Sequence, residues 1–250
     1  MPSVRITNQP MPSGDVGIIQ PLLQRCIDAL FAHSSGHPNE NVEIRVNYTP
    51  KGPHTRYGGS ASAGYDIDLV APNDAWVQHV YQFGHEGCHV LARVENSQLT
   101  NQWLEECLCE AAGIYCLTYM AALGQTGPNA GLGSNGKSLA EAFADYAGLC
   151  LSDHATHDPG STIKTWLPTE SPGLRTNPNS DKSRELIGVI ATALLPLFLN
   201  DRSSLASLQY LNEKQCAAGS DTLADKLQNW KDAAPTPHHA FIDDVKKLLT

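Results

Sequence analysis

Apolar residues along this chain fall into two periodicities. Between residues 17 and 33, Ile18, Leu22, Leu23, Cys26, Leu30 and Phe31 recur every three to four positions, the spacing of one helical face. Val42, Ile44, Val46 and Tyr48 then alternate with polar neighbours, which predicts a half-buried strand over 42–48 that ends at Pro50. A second alternating run, Tyr65-Asp66-Ile67-Asp68-Leu69-Val70, predicts another strand. The stretch 51–64 between them, with Gly52, Pro53, Gly58, Gly59 and Gly64, reads as a turn or an edge segment.

From there the pattern turns helical. Pro72-Asn73-Asp74 can cap a helix over 74–94 whose stripe is Val77, Val80, Tyr81, Gly84, Cys88 and Leu91. A polar connection, Glu95 to Asn101, leads to a helix over 101–122, a glycine-rich loop over 124–137 and a helix over 138–152. A Pro/Gly/Thr-rich loop spans 155–180, and helical patterns follow near 181–200, 203–217, 221–232 and 236–249. No repeat is visible. The expected fold is α+β: a small, mostly antiparallel sheet packed on the 74–94 helix, followed by a helical C-terminal half. Residues 1–94 then form an N-terminal sub-lobe and residues 95–250 a helical one, within one compact domain.

Composition narrows the function classes. With 41% hydrophobic and 17% charged residues in 250, the chain reads as an ordinary soluble globular protein. A net charge of −9 argues against nucleic acid as partner, because a phosphate backbone needs a basic footprint. The longest apolar run, Leu186 to Leu199, is broken by Gly188, Thr192 and Pro196, and reads as a buried helix rather than a bilayer span. Residues 1–10 hold no apolar secretory segment, and seven cysteines make an odd count without a framework spacing. Both features favour a reducing, cytoplasmic compartment; a mature exported form would look the same. Nothing in the pattern speaks to oligomeric state.

The chemistry concentrates in His85-Glu86-Gly87-Cys88-His89. Histidines four residues apart on a helix lie about 6 Å apart along the axis and about 40° apart around it, so both imidazoles can reach one ion. Zinc accepts imidazole nitrogen and, in hydrolytic sites, leaves one position to water. Glu86 follows the first histidine, where its carboxylate can act as general base on that water. The 101–122 helix offers a third ligand. Trp103, Glu106 and Glu110 share a face, and Leu104, Cys107, Leu108, Cys109, Ala111, Ala112 and Ile114 make the helix apolar nearly all round. A carboxylate on such a helix is costly unless paired or bound to metal, which selects Glu106 as ligand. Glu110, one turn on, can accept a hydrogen bond from the outer nitrogen of His85. Glu105 points about 100° away, where stabilisation by the helix amino terminus accounts for it. Cys88 falls on the apolar stripe and, like Cys109, reads as a core thiol.

These residues carry a resemblance. His85-Glu86-Gly87-Cys88-His89 followed by Trp103-Leu104-Glu105-Glu106 resembles the gluzincin metallopeptidases, the group that includes thermolysin-like and aminopeptidase-N-like enzymes. Glu106-x-x-x-Glu110 is similar to the thermolysin-like Glu-x-x-x-Asp. The likeness covers roughly residues 80–115. The gap from His89 to Glu106 is a few residues shorter than usual, and the aminopeptidase motif Gly-Ala-Met-Glu-Asn is missing. It implies a zinc peptidase acting on peptide or protein substrates, with His85, His89 and Glu106 on zinc and Glu86 as base.

An oxyanion donor is also needed, and Tyr146, His154 and His157 are candidates that the sequence does not rank. Strands 42–48 and 65–70 offer an edge on which an extended peptide can lie. Two other readings stay open: a zinc-binding module without turnover, and a nucleotide-binding protein. The second rests on Gly131-Leu132-Gly133-Ser134-Asn135-Gly136-Lys137-Ser138, which matches the phosphate-loop pattern. A phosphate loop must follow a buried strand, and Gly124 to Ala130 cannot form one, so a loop between two helices is the better reading.

Overall fold

The computed structural model describes residues 1–7, 13–57, 64–71, 75–93, 102–124, 138–214 and 222–250. In chain order these form β1 (Ser3–Ile6), α1 (Ser13–Phe31), β2 (Glu43–Tyr48), β3 (His54–Tyr57), β4 (Tyr65–Leu69), α2 (Trp76–Leu91), α3 (Gln102–Gly124), α4 (Leu139–Thr156), α5 (Ile163–Thr176) and α6 (Asp181–Asn200). A 3-10 helix (Arg202–Tyr210), α7 (Leu223–Ala233), a single 3-10 turn (Thr236–His238) and α8 (His239–Leu249) complete it. The fold is α+β with a helical second half. Its apolar core runs without a break across residue 94, from Val4 and Ile44 through Leu108 to Ile190 and Val245.

The sheet corrects the expectation of a mostly antiparallel arrangement. Strand order is β1-β2-β4-β3; β1 and β4 both run parallel to β2, and β3 pairs antiparallel with β4. Two causes act. The short strand β1, unmarked by the apolar pattern, precedes α1, and a strand–helix–strand connection gives parallel neighbours. Then β4, whose Tyr65, Ile67 and Leu69 are fully buried, takes the interior place, while the polar His54-Thr55-Arg56-Tyr57 goes to the edge. The segment 51–64 therefore supplies the edge strand, and neither 42–48 nor 65–70 offers a free edge.

Helices α1 and α2 cover one face of the sheet, and α3 lies behind α2. Helices α2 and α3 approach closely at Gly84: a Cβ there would sit 2.9 Å from Cys116 Cβ and 3.1 Å from Gly113 Cα. That contact fixes the register of the α2 histidines against the α3 glutamates. The capping run 72–74 and the connection 94–101 lie outside the described residues. The described start of α2 is Trp76, with no side-chain cap from Ala75. Helices α3 and α6 have the length and apolarity of bilayer spans, α6 included despite its Gly, Thr and Pro, and most of each is packed against other elements here. Cys26, Cys88, Cys107, Cys109 and Cys116 are buried free thiols.

Two predicted elements differ. The loop expected over 155–180 contains α5, in which Pro168 and Pro172 lie inside the helix and Trp166, Leu167 and Leu174 are buried. Lys164 and Pro168 are both exposed residues, on the solvent side of the helix where the hydrogen bond that Pro168 cannot make is least costly. The helix expected over 203–217 is the 3-10 helix 202–210, followed by a turn.

A buried histidine pins the end of α2. His37 is 2% exposed; Asn39 N–H donates to its Nδ1 at 2.8 Å, and its Nε2 lies 2.9 Å from the Leu91 carbonyl. A ring that accepts at Nδ1 and donates from Nε2 is neutral. Burial lowers its pKa from 6.5 to about 4, outweighing the Leu91 bond. The folded value lies below the unfolded one, so the unfolded chain binds the extra proton. The contribution is whole above pH 6.5 and is lost as pH falls to about 4, on the order of 3 kcal/mol in all. Urea unfolding at pH 7 and pH 4 should show this loss in the parent chain and a smaller one in His37→Gln.

Candidate metal centre

Two residues of α2 and one of α3 converge. One donor atom from each of His85, His89 and Glu106 lies within 4.8 Å of the other two. His85 Nε2 is 3.2 Å from Glu106 Oε2, and His89 Nε2 is 3.7 Å from Glu106 Oε1. The rings are 5.2 Å apart between centroids, at an interplanar angle of 62°. Both imidazoles thus turn Nε2 inward to the same carboxylate.

Their outer nitrogens are engaged as well. His85 Nδ1 lies 3.2 Å from Glu110 Oε2, and His89 Nδ1 lies 2.7 Å from Glu105 Oε1. A carboxylate accepts, so each ring donates from Nδ1 to its outer carboxylate, and a metal at the centre would take the Nε2 position in place of a proton. Glu110 stands where the one-turn spacing puts it. Glu105 does not fit the helix-dipole account: it is 2% exposed, and Asn212 Nδ2 donates to its Oε2 at 2.8 Å.

Charge in this region is strongly coupled. Burial opposes protonation of His85, but hydrogen bonds to Glu106 and Glu110 more than offset it and raise the imidazole to about 10. Burial likewise pushes Glu106 and Glu110 up, and the surrounding imidazoles pull both far below the usual carboxylate range. With Glu86 and Glu105 also buried, four carboxylates surround two imidazoles in a region that favours positive charge. Two imidazoles and a carboxylate, each ring held by a second carboxylate, are a donor set that fits zinc with a position left for water.

Glu86 is 4% exposed, and Thr55 Oγ1, from edge strand β3, lies 2.8 Å from its Oε2 and 2.9 Å from its backbone oxygen. Thr55 carries no signal in the sequence. Glu110 gathers further partners: Tyr81 OH donates to its Oε1, and His154 Nε2 lies 3.3 Å from the same oxygen. Tyr81, one turn before His85 on α2, is legible only once the helix register is known.

The three oxyanion candidates separate. His154 and His157 line the cleft, whereas Tyr146 packs edge-on against Tyr81 with ring centroids 5.8 Å apart. His154 is held between Glu110 and Thr192 Oγ1, the latter 3.1 Å from its Nδ1, and a Cβ on Gly188 would come within 2.4 Å of its ring. His157 sits 3.6 Å from Glu185 at the rim. The cleft measures about 680 Å³ and is also bordered by Lys51, His54 and Arg184.

A second donor set, His89, Glu105 and Cys109, is likewise close enough for a metal. It shares His89 but is fully buried and neither Glu105 nor Cys109 lines the cleft, so Cys109 reads better as a core thiol. Of the phosphate-loop-like run, residues 131–137 lie outside the described residues. Ser138 caps α4: its Oγ accepts from Glu141 N–H at 3.2 Å, and Glu141 Oε2 accepts from Ser138 N–H at 2.7 Å. The described element before that run is helix α3, not a strand.

No protein-family model, curated protein or solved structure is significantly similar to this chain.

Proposed function

We propose that this protein is a zinc-dependent hydrolase, and specifically a peptidase of the gluzincin kind. One observation carries the reading: two imidazoles and the Glu106 carboxylate face one point with their donor atoms, and a buried glutamate stands next in sequence to the first imidazole. His85, His89 and Glu106 would hold the ion, which when bound supplies Lewis acidity to a water and to a substrate carbonyl. Glu86 takes a proton from that water as the oxygen bonds to the amide carbon. It then delivers the proton to the amine nitrogen as the carbon–nitrogen bond breaks. Thr55 holds Oε2 of Glu86, which leaves Oε1 for the proton.

The cleft suits an extended chain. Its wall includes residues 51–55, which lead into and begin the edge strand β3, and a peptide can add there by backbone hydrogen bonding. Of His154 and His157, only His157 is free of the Glu110 and Thr192 contacts that hold the His154 ring, and it is the better placed of the two to meet a developing oxyanion.

The test is cleavage of a mixed peptide library by the zinc-loaded chain. Cleavage should stop on chelation and return with added Zn²⁺. Stoichiometric zinc with no cleavage of any library member would overturn the peptidase reading and leave a zinc-binding module.

A further inference from the structure

A line of buried polar groups runs from the C-terminal part of the chain to His89. Lys226 on α7 is 3% exposed, and its Nζ donates to Asn212 Oδ1 at 2.8 Å. Asn212, 2% exposed and just beyond the 3-10 helix, donates from Nδ2 to Glu105 Oε2 at 2.8 Å and to the Ala92 carbonyl at 2.9 Å. Glu105 Oε1 accepts from His89 Nδ1 at 2.7 Å.

The directions are forced. An ammonium group only donates, so the Asn212 carbonyl must face Lys226 and its amide nitrogen must face the two acceptors. No flip of the amide satisfies these partners. The arrangement therefore has one hydrogen-bonded state, and that state fixes the Glu105 carboxylate in place. Asn212 also holds the residue that ends α2, so it constrains both the ring of His89 and the helix carrying it.

A metal-binding imidazole is tuned by whatever holds its other nitrogen, and the line ends on that nitrogen of His89.

We infer that Asn212 and Lys226 are positioning residues for the His89 metal ligand, setting zinc affinity through Glu105. This rests on the zinc reading above. It also accounts for Glu105 in a position that the sequence leaves to helix electrostatics: the glutamate belongs to the ligand's support.

Zinc affinity of the full chain, measured by competition with a chromophoric chelator, tests it. Asn212→Leu and Lys226→Met should each weaken Zn²⁺ binding by about tenfold to a hundredfold. Leu227→Ala, a neighbouring core truncation on α7, should lower thermal stability yet keep zinc affinity within about twofold of the parent. The visible spectrum of the Co²⁺-loaded protein should shift in Asn212→Leu and not in Leu227→Ala. Should Asn212→Leu fail to fold, Lys226→Met, which keeps an unbranched apolar stem, carries the comparison. Parent-like zinc affinity in the folded variants would overturn the inference, as would equal weakening by Leu227→Ala. A parent chain that binds no zinc would overturn the proposed function and this inference together, so the two failures are distinguishable.

Discussion

Glu86→Gln should retain bound zinc at the parent level and cleave peptide about a thousandfold more slowly. The substitution keeps the shape and, through its amide oxygen, the acceptor for Thr55 Oγ1, so the local packing has no reason to change. It removes the carboxylate proposed to take a proton from water and return it to the leaving nitrogen. General base catalysis of this kind is worth about a hundredfold to ten-thousandfold in rate. Glu86 is not among the converging donor atoms, so zinc content should not follow activity down. Turnover number and zinc stoichiometry measured on one preparation decide the matter. Activity within tenfold of the parent would remove Glu86 from the mechanism.

Glu106→Ala should lose the metal. Structural zinc sites are worth on the order of 10 kcal/mol or more, and on that scale removing one of three protein ligands forfeits roughly a third, about a few hundredfold in affinity. The two histidines would remain, but the carboxylate that both Nε2 atoms face would be gone. Zinc per chain after dialysis against a weak chelator is the readout. Undiminished zinc would move the ligand role to Glu105 or Glu110, the other two carboxylates bonded to the histidines.

The parts of the site visible in the sequence are those that helical geometry alone can specify. His85 and His89 share a face because they are four apart. Glu106 stands out because a carboxylate on a helix apolar all round needs a partner, and Glu110 follows one turn later. The same geometry does not reveal what Glu105 does. Its direction on α3 is readable, but what it meets is not, since Asn212 lies more than a hundred residues on and reaches it only through tertiary packing, with Lys226 of α7 behind. Thr55 was hidden for a similar reason: it belongs to an edge strand whose place beside α2 depends on β4 taking the sheet interior.

The fold shows the same division. Strands β2 and β4 and most helices carry their own periodic signal. Strand β1 is four residues long, bears Arg5, and is defined by pairing with β2, so strand direction could not be read without it. Helix α5 was concealed by Pro168 and Pro172, whose local penalty is offset where Trp166, Leu167 and Leu174 are buried against the rest of the chain.

Anomalous scattering at the zinc absorption edge, from crystals of the zinc-loaded chain, tests the centre most directly. A single strong peak bonded to Nε2 of both histidines and to the Glu106 carboxylate is the expected result. A peak between His89, Glu105 and Cys109 instead, or none near α2 at full zinc concentration, would contradict it.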